Sequence, residues 1–406
     1  MPANDEPMKY LGRFVALLLL IVNLAFVLLL LLAAYSSYIR PASYPSLSCM
    51  GLTFPFFLFI NLIFLCFWMV VQHYKSALLP LAAILFCWSQ LAAFLPFHSE
   101  TPEEELPEKR FKILSYNVMG FNGCEKKEGK NAILEYLKGS GADILCLQEY
   151  ATGKGIKQLT QRDIESALKE YPYRRIHLVG SRKGYTNRLA CYSKHPILSA
   201  KEIAYPGRYN GSVIYRIKIG NDTVALVNNH LESNRLTKAD KRIYEGMLEA
   251  PETEKVKSGG KQLLHKLAEA SVVRSQQAEA IAKEIAGCGE RHVVVCGDFN
   301  DTALSYTHRI IGKGLQDAFT ESGSGLGISY NRNKFYFRID HILAGKTLQA
   351  FNCRVDRSIK ESDHYPITCY LSIVESPEFY VRSERPGGKA TFNNRGLLSP
   401  WQCGDT

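Results

Sequence analysis

The chain has 406 residues, 46% of them hydrophobic, and carries 49 basic and 39 acidic side chains for a net charge of +10. That length leaves room for one large domain or two ordinary ones. Its eleven cysteines include no CxxC pair and no metal-finger spacing, so nothing requires a disulfide framework or a zinc module. The charge is divided: the first 108 residues hold four basic and seven acidic side chains, the remainder 45 and 32. The basic part favours anionic partners without identifying one.

Three apolar stretches come first. Residues 14–34 are interrupted only by Asn23, residues 52–71 are rich in Phe, and residues 77–95 include Pro80, Ser89 and Gln90. About 20 apolar residues carry a helix across a bilayer, so residues 1–97 are expected to form a membrane segment with three spanning helices. A cleaved signal peptide fits poorly, because the apolar core is too long and no clear A-x-A site follows. Lys9, Arg13 and Lys75 outweigh Arg40, which places the N-terminus in the cytoplasm. Three spans then put the large domain on the extracytoplasmic side of the inner (plasma) membrane, although Lys109, Arg110 and Lys112 weigh against that orientation. Residues 98–108, with two prolines and a Glu run, read as a solvated linker.

From residue 109 to 374, short apolar runs alternate with helical patterns. Strands are expected at 111–118, 143–148, 189–193, 213–219, 223–228, 292–296, 334–339 and 366–374, with helices near 131–138, 156–170 and 261–285. A turn at Gly220, Asn221 and Asp222 joins two of the strands. Residues 234–260 read as a polar insertion, a solvated loop or a substrate-facing flap. Many strands with interspersed helices imply an α/β or α+β fold with a sheet core. The tail 375–406 lacks periodicity and is expected to be loosely ordered.

Several apolar runs end in residues that bind metals or move protons. One ends at Asn117, the next at Gln148 and Glu149, a third at Asn228, Asn229 and His230. Others end at Gly297-Asp298-Phe299-Asn300 and at Asp340-His341, and Ser362-Asp363-His364 precedes the last strand. Any one of these could be a chain simply reaching water. Together they form an oxygen-rich set with imidazoles, which suits Mg²⁺ or Mn²⁺ better than a thiolate-bound metal.

In order and approximate spacing these segments resemble the endonuclease/exonuclease/phosphatase superfamily, and the resemblance covers about residues 109–374. It implies a four-layer α/β sandwich of two packed mixed sheets, preceded here by the transmembrane helices. It also implies Mg²⁺-dependent hydrolysis of phosphoester bonds. By the same resemblance Glu149 is the principal metal carboxylate, with Asn117 beside it and Asp363 a further metal-facing acid. Asp298 and Asn300 position water and phosphate. Asp340 orients His364, which serves as general base or charge stabiliser, and Asp298 and His364 can exchange roles. His230 contacts phosphate, with Asn229 and Asn300 beside the substrate. Met119 stands where the abasic-endonuclease branch tends to place a second acid, which weakens a DNA-repair reading.

The expected substrate is a phosphate ester, either nucleic acid or a phospholipid or inositol phosphate, and the other expected partner is the lipid bilayer. No obligate protein partner is expected. A nuclease should have a basic, aromatic-lined groove beside His230 and His364; a lipid esterase should have an apolar lip facing the membrane. The alternative to an enzyme is an inactive relative that binds a phosphorylated ligand or partner.

Overall fold

Alternation of side chains along the strands dictates the layers. The computed structural model describes residues 6–374 apart from 128, 156, 183–184, 206–208, 250–252 and 333–334; the tail 375–406 lies outside the described residues. In chain order the strands are β1 (Arg110–Asn117), β2 (Ile144–Gln148), β3 (Tyr173–Arg182), β4 (Tyr185–Ser193), β5 (Ile197–Glu202), β6 (Gly211–Ile219) and β7 (Asp222–His230). There follow β8 (His292–Asp298), β9 (Leu315–Asp317), β10 (Tyr330–Arg332), β11 (Phe335–Phe337), β12 (Asp340–Gly345), β13 (Leu348–Val355) and β14 (Ile367–Ile373).

Two six-stranded sheets result, ordered β13-β14-β1-β2-β4-β3 and β5-β6-β7-β8-β12-β9, with β10-β11 as a separate ribbon. Each sheet has one parallel pair at its centre, β1 with β2 and β7 with β8, and antiparallel neighbours around it. Ile113, Ile144 and Cys146 share one buried cluster with Leu226, Val294 and Ile342 of the other sheet. Their alternate neighbours Leu114, Leu145 and Leu147 pack with Ile133 and Ile164 of helices Ala132–Gly139 and Gln161–Ala167. Val227, Val293 and Val295 pack with Ala278 and Ile281 of the long helix Thr253–Gly287. Helix, sheet, sheet and helix therefore stack as the four-layer sandwich that the resemblance implies, with the central strands buried on both faces.

Local chemistry explains several boundaries. Asn131 caps helix Ala132–Gly139 by accepting from the Leu134 amide, and Thr160 with Asp163 forms a capping box for Gln161–Ala167. That helix is shorter than the periodicity over 156–170 suggests. The strands β3, β5, β9, β10, β12 and β13 were not anticipated; all but the interior β12 are short or lie at sheet edges where one face meets water. Two expectations are corrected. The run 334–339 does not end a strand at Asp340; Asp340 opens β12, after the β10–β11 ribbon. The insertion 234–260 is largely helical, with Lys238–Glu249 followed by the start of Thr253–Gly287.

At the N-terminus, two helices among the described residues, Tyr10–Tyr38 and Pro45–Val70, are long and apolar enough to cross a membrane. The third apolar stretch is the pair Tyr74–Phe86 and Trp88–Phe94, bent by 61°. Asn23, the one interruption of the first stretch, faces a neighbouring helix: its Nδ2 donates to Asn61 Oδ1 (3.4 Å), and Trp68 Nε1 donates to Asn23 Oδ1 (3.1 Å). Asn23→Leu is expected to lower the stability of the helical bundle by about 1 kcal/mol, read from the thermal midpoint of the full chain in detergent. No shift would mean that these bonds are offset by partners in the unfolded state.

The bundle and the sandwich pack directly. Leu304 joins the buried cluster of Leu30, Phe54 and Ile84. Arg309 Nε donates to the Ser37 carbonyl (2.8 Å), Arg40 pairs with Glu279 (3.0 Å), and Ser48 Oγ meets Ser271 Oγ (3.2 Å). Gly51 lies so close to the Leu304 carbonyl oxygen that a Cβ would sit 2.7 Å from it. Residues 98–108 run along the sandwich rather than hanging free: the His98 amide donates to Gly323 O (3.2 Å), and Thr101 exchanges two backbone bonds with the Asn352 side chain (both 2.8 Å).

Candidate active site

Strand parity and register bring the chemistry to one place. Asn117 continues the inward positions of β1, Gln148 those of β2, Asn228 and His230 those of β7, Asp298 those of β8 and Asp340 those of β12. Register pairs Asn117 with Gln148, His230 with Asp298, and Asp298 with Asp340. The polar ends of both parallel pairs thus meet at one edge of the sandwich. Gly297 has its own reason to be there: with φ of +127°, a Cβ would sit 2.1 Å from the Asn229 carbonyl oxygen on the adjacent strand.

The side chains form one connected set. Asn117 Nδ2 donates to Glu149 Oε1 (3.2 Å) and Asp298 Oδ2 (3.1 Å). His230 Nε2 lies 3.6 Å from Glu149 Oε1 and 3.7 Å from Asp298 Oδ2, and His364 Nε2 lies 3.6 Å from that same Asp298 oxygen. Behind it, His364 Nδ1 bonds to Asp340 Oδ2 at 2.8 Å. Asp298 Oδ1 accepts from the Asn300 amide (2.8 Å), and Asn300 Nδ2 donates to the Leu231 carbonyl (3.0 Å). Glu149 and Asn300 both adopt left-handed backbone, with φ of +52°. Six consecutive positive-φ residues, 119–124, follow Asn117, and they aim the Gly120 amide at the Glu149 carbonyl (2.9 Å). Such strain concentrates where a side chain must be aimed rather than merely packed.

Electrostatics gives the two histidines different states. Burial alone would lower His364, but Asp340 and Asp298 outweigh it and hold it well above the ordinary imidazole value, which favours the protonated ring. Burial lowers His230 despite the opposing pull of Asp298. Its tautomer follows from Asn187, whose Nδ2 donates to the Tyr209 carbonyl (2.7 Å) and lies 2.8 Å from His230 Nδ1. An amide nitrogen cannot accept, so His230 Nδ1 accepts and Nε2 carries the hydrogen toward the cleft. Burial raises Asp298, opposed by His364, and raises Glu149, opposed by the Asn117 bond.

A cavity of about 510 Å³ opens at this edge, lined by Glu149, His230, Asp298, Asn300, Asp363 and His364. Its donors suit a hard divalent cation. They are oxygens without a thiolate, and acids raised by burial are those that a cation's charge would relieve. Glu149 and Asp363 offer the cavity carboxylate oxygens; Asn117 gives its Oδ1 to the Met119 amide (3.1 Å) and turns its Nδ2 to the carboxylates, and Asp340 is already committed to His364.

The structure brings together every expected site residue except Asn229. That side chain points to the outer face of its sheet, fully buried, where its Oδ1 accepts from Ser212 Oγ. Several supporting residues were missed. Asn187 comes from the unanticipated half of β4; Gln148 was legible as a strand end, but not that its Nε2 spans the two sheets to Asn228 Oδ1 (2.7 Å). Ser329 Oγ accepts from the Asp340 amide (3.0 Å), and Ser362 Oγ donates to the Asn117 carbonyl (2.7 Å). Ser362 was visible within the Ser-Asp-His segment; a lone Asn187 or Ser329 carries no sequence signal.

Solved structures resemble the chain at low identity. The endonuclease/exonuclease/phosphatase from Beutenbergia cavernae is 14% identical, over 66% of this chain and 72% of its own, with a TM-score of 0.46. That from Bacteroides vulgatus is 17% identical over 66% and 100%, with a TM-score of 0.44. D. rerio TDP2, complexed with single strand DNA product, is 17% identical over 65% and 100%, with a TM-score of 0.43. No curated protein matches. A family model described as a domain of unknown function matches residues 16–94. The model of the Endonuclease/Exonuclease/phosphatase family matches residues 114–364, well over half of the chain, and to that family this chain belongs.

Proposed function

We propose that the protein is a divalent-metal-dependent phosphoesterase that works at a membrane. Residues 109–374 form its catalytic domain, residues 1–97 anchor it, and residues 98–108 connect the two. The anchor's charge bias supports an extracytoplasmic position for the catalytic domain. One observation carries the reading: both imidazole Nε2 atoms lie within 3.7 Å of one Asp298 oxygen, with Glu149 alongside.

Glu149, with Asp363 nearby, would hold Mg²⁺ or Mn²⁺, which supplies fixed positive charge to phosphoryl oxygens, and Asn117 would steady the Glu149 carboxylate through its Nδ2. His364, an imidazolium held by Asp340, donates from Nε2 to a phosphoryl oxygen as negative charge grows. Neutral His230 donates its Nε2 hydrogen from the opposite flank. A protonated His364 has no lone pair with which to take a proton from water, so that task falls to Asp298. Its raised pKa makes it a stronger base than an exposed carboxylate. The Asn300 amide fixes the other Asp298 oxygen and so aims the base.

A chelator is expected to abolish hydrolysis of an aryl phosphodiester by the full chain, and Mg²⁺ or Mn²⁺ to restore it. Glu149→Gln is expected to raise the Mg²⁺ concentration needed for half activity by about 10- to 100-fold, the loss typical of a weakened metal site. Activity that persists in chelator, or an unchanged Mg²⁺ requirement in Glu149→Gln, would contradict the assignment.

A further inference from the structure

The cavity does not stop at the catalytic groups. From His230 and His364 it continues between the helices of the insertion and the ribbon strand β11, where Leu236, Met247, Leu264, Leu267 and Phe335 form its walls. Its far side is built by the membrane segment itself: Ser48, Cys49, Gly51, Leu52 and Thr53, at the start of the second apolar helix, line the same space. One continuous groove therefore has phosphate chemistry at one end and the edge of a membrane-spanning helix at the other.

The groove is poorly suited to a nucleic acid strand. Single strands are held by basic tracks and by aromatic faces free to stack on bases. Here Tyr244 and Phe335 stack on each other, with centroids 4.1 Å apart. The cations along the wall are engaged too: Arg274 with Asp301 (3.1 Å), Arg235 with Glu232 (2.5 Å), and Lys241 with the Tyr330 hydroxyl (3.0 Å). What remains is an apolar surface beside the start of the second apolar helix, and Leu264 on its wall is 40% exposed. Large apolar surface left open beside a catalytic centre is a binding surface for an apolar group.

We infer that the substrate is a membrane lipid bearing a phosphate ester, its headgroup at His230, Asp298 and His364 and its hydrocarbon chain along the groove toward Leu52. This deepens the phosphoesterase reading and rests on it. The insertion and the membrane segment then serve specificity: together they build the channel through which a lipid reaches the site without leaving an apolar environment.

A homologous series separates the two claims. The full chain, reconstituted into phosphatidylcholine vesicles with Mg²⁺, is offered methyl, octyl and hexadecyl 4-nitrophenyl phosphodiesters, all read by release of nitrophenolate. The reacting bond is the same in each, so only the chain differs. The ratio kcat/KM is expected to climb with chain length by up to about fourfold for each methylene that enters the groove, and at least 100-fold from methyl to octyl. Leu264→Gln is expected to reduce the octyl-to-methyl ratio at least tenfold. Leu198→Gln, at an exposed leucine on β5 outside this groove, should leave the ratio as it was.

Hydrolysis of all three esters at equal efficiency would overturn the lipid assignment and leave the phosphoesterase reading standing. So would preferred cleavage of single-stranded DNA over the hexadecyl ester. A chain inert on every ester and on DNA would overturn both.

Discussion

Replacing Asp340 by Asn is expected to lower turnover of a phosphodiester at neutral pH by roughly two to three orders of magnitude, while leaving the fold intact. Asp340 is fully buried, and its Oδ2 is the nearest acceptor to His364 Nδ1, at 2.8 Å. It is the largest of the influences that keep the imidazole charged against the cost of burial, with Asp298 the next. An amide of the same shape keeps the packing but removes that charge. Its NH₂ can face Nδ1 and so leave the hydrogen on Nε2, but the ring is then a neutral donor, and losing one strong donor to developing negative charge is worth about 10²–10³ in turnover elsewhere. The pH dependence gives the sharper signature. Because the His364 pKa is raised in the intact protein, the active imidazolium survives as pH climbs past the ordinary histidine value. In Asp340→Asn that support is gone, so the alkaline limb of kcat moves toward acid. A merely structural role for Asp340 predicts a lower rate with the limb unmoved. Circular dichroism and the thermal midpoint show whether the fold has survived. A rate within tenfold of the parent, with its alkaline limb in place, would remove His364 from the mechanism.

How much of this was legible in the sequence depended on strand parity. The runs at 111–118, 143–148 and 292–296 were long and apolar enough to be read. Their ends at Asn117, Gln148 and Asp298 followed, and with them most of the site. Asn229 was misplaced for a specific reason. The apolar pattern of the third run stops at Asn228 and reads as loop beyond it, whereas β7 continues to His230. Once the strand is extended, alternation alone sends Asn228 and His230 inward and Asn229 outward. The same rule separates Asp340, on the inner face, from His341, on the outer. The insertion misled because its helix Lys238–Glu249 is rich in charge and poor in apolar residues, so a low overall hydrophobicity masked the amphipathic spacing of Ile243, Tyr244 and Met247. Contacts such as Asn187 with His230 join residues 43 apart through sheet packing, and no local pattern encodes them.

Arg338→Met is expected to cost about 3–5 kcal/mol of stability, and the reason lies on the outer face of the second sheet. There Asp317 is surrounded. Both its oxygens accept from Arg338 Nη1 (3.0 and 3.2 Å), Oδ2 is 3.0 Å from His308 Nε2, and Oδ1 caps helix Ala318–Ser322 through the Phe319 and Thr320 amides. Asp317, His308 and His341 lie close enough together to hold a metal ion. The carboxylate, however, is already committed to a guanidinium and two amides, which makes this an ion network. Arg338 also lies 4.7 Å from the Phe319 ring centroid and donates to the Ala93 carbonyl, tying the last apolar helix to the sandwich. Both side chains are under one-tenth exposed, so Met at 338 keeps the bulk but strands a buried carboxylate.

The pH dependence should reverse with the substitution. Burial pushes Asp317 up, but Arg338 and the two histidines more than offset it and hold the carboxyl well below its usual range. In the intact chain Asp317 therefore contributes stability that is complete above the unfolded carboxylate value of about 4 and is lost as pH falls through its folded value. Without Arg338, burial prevails and the folded pKa rises above the unfolded one. The deficit of Arg338→Met should then be greatest at neutral pH and shrink as the medium is acidified toward pH 5. Thermal unfolding of the full chain in micelles should show a fall of roughly 10 °C at pH 7. Asp317→Asn combined with Arg338→Met should recover part of it, because the uncompensated charge is gone. A double variant no more stable than the single one would mean that Arg338 acts through its bond to Ala93 or its packing on Phe319, and that the carboxylate is stable without it.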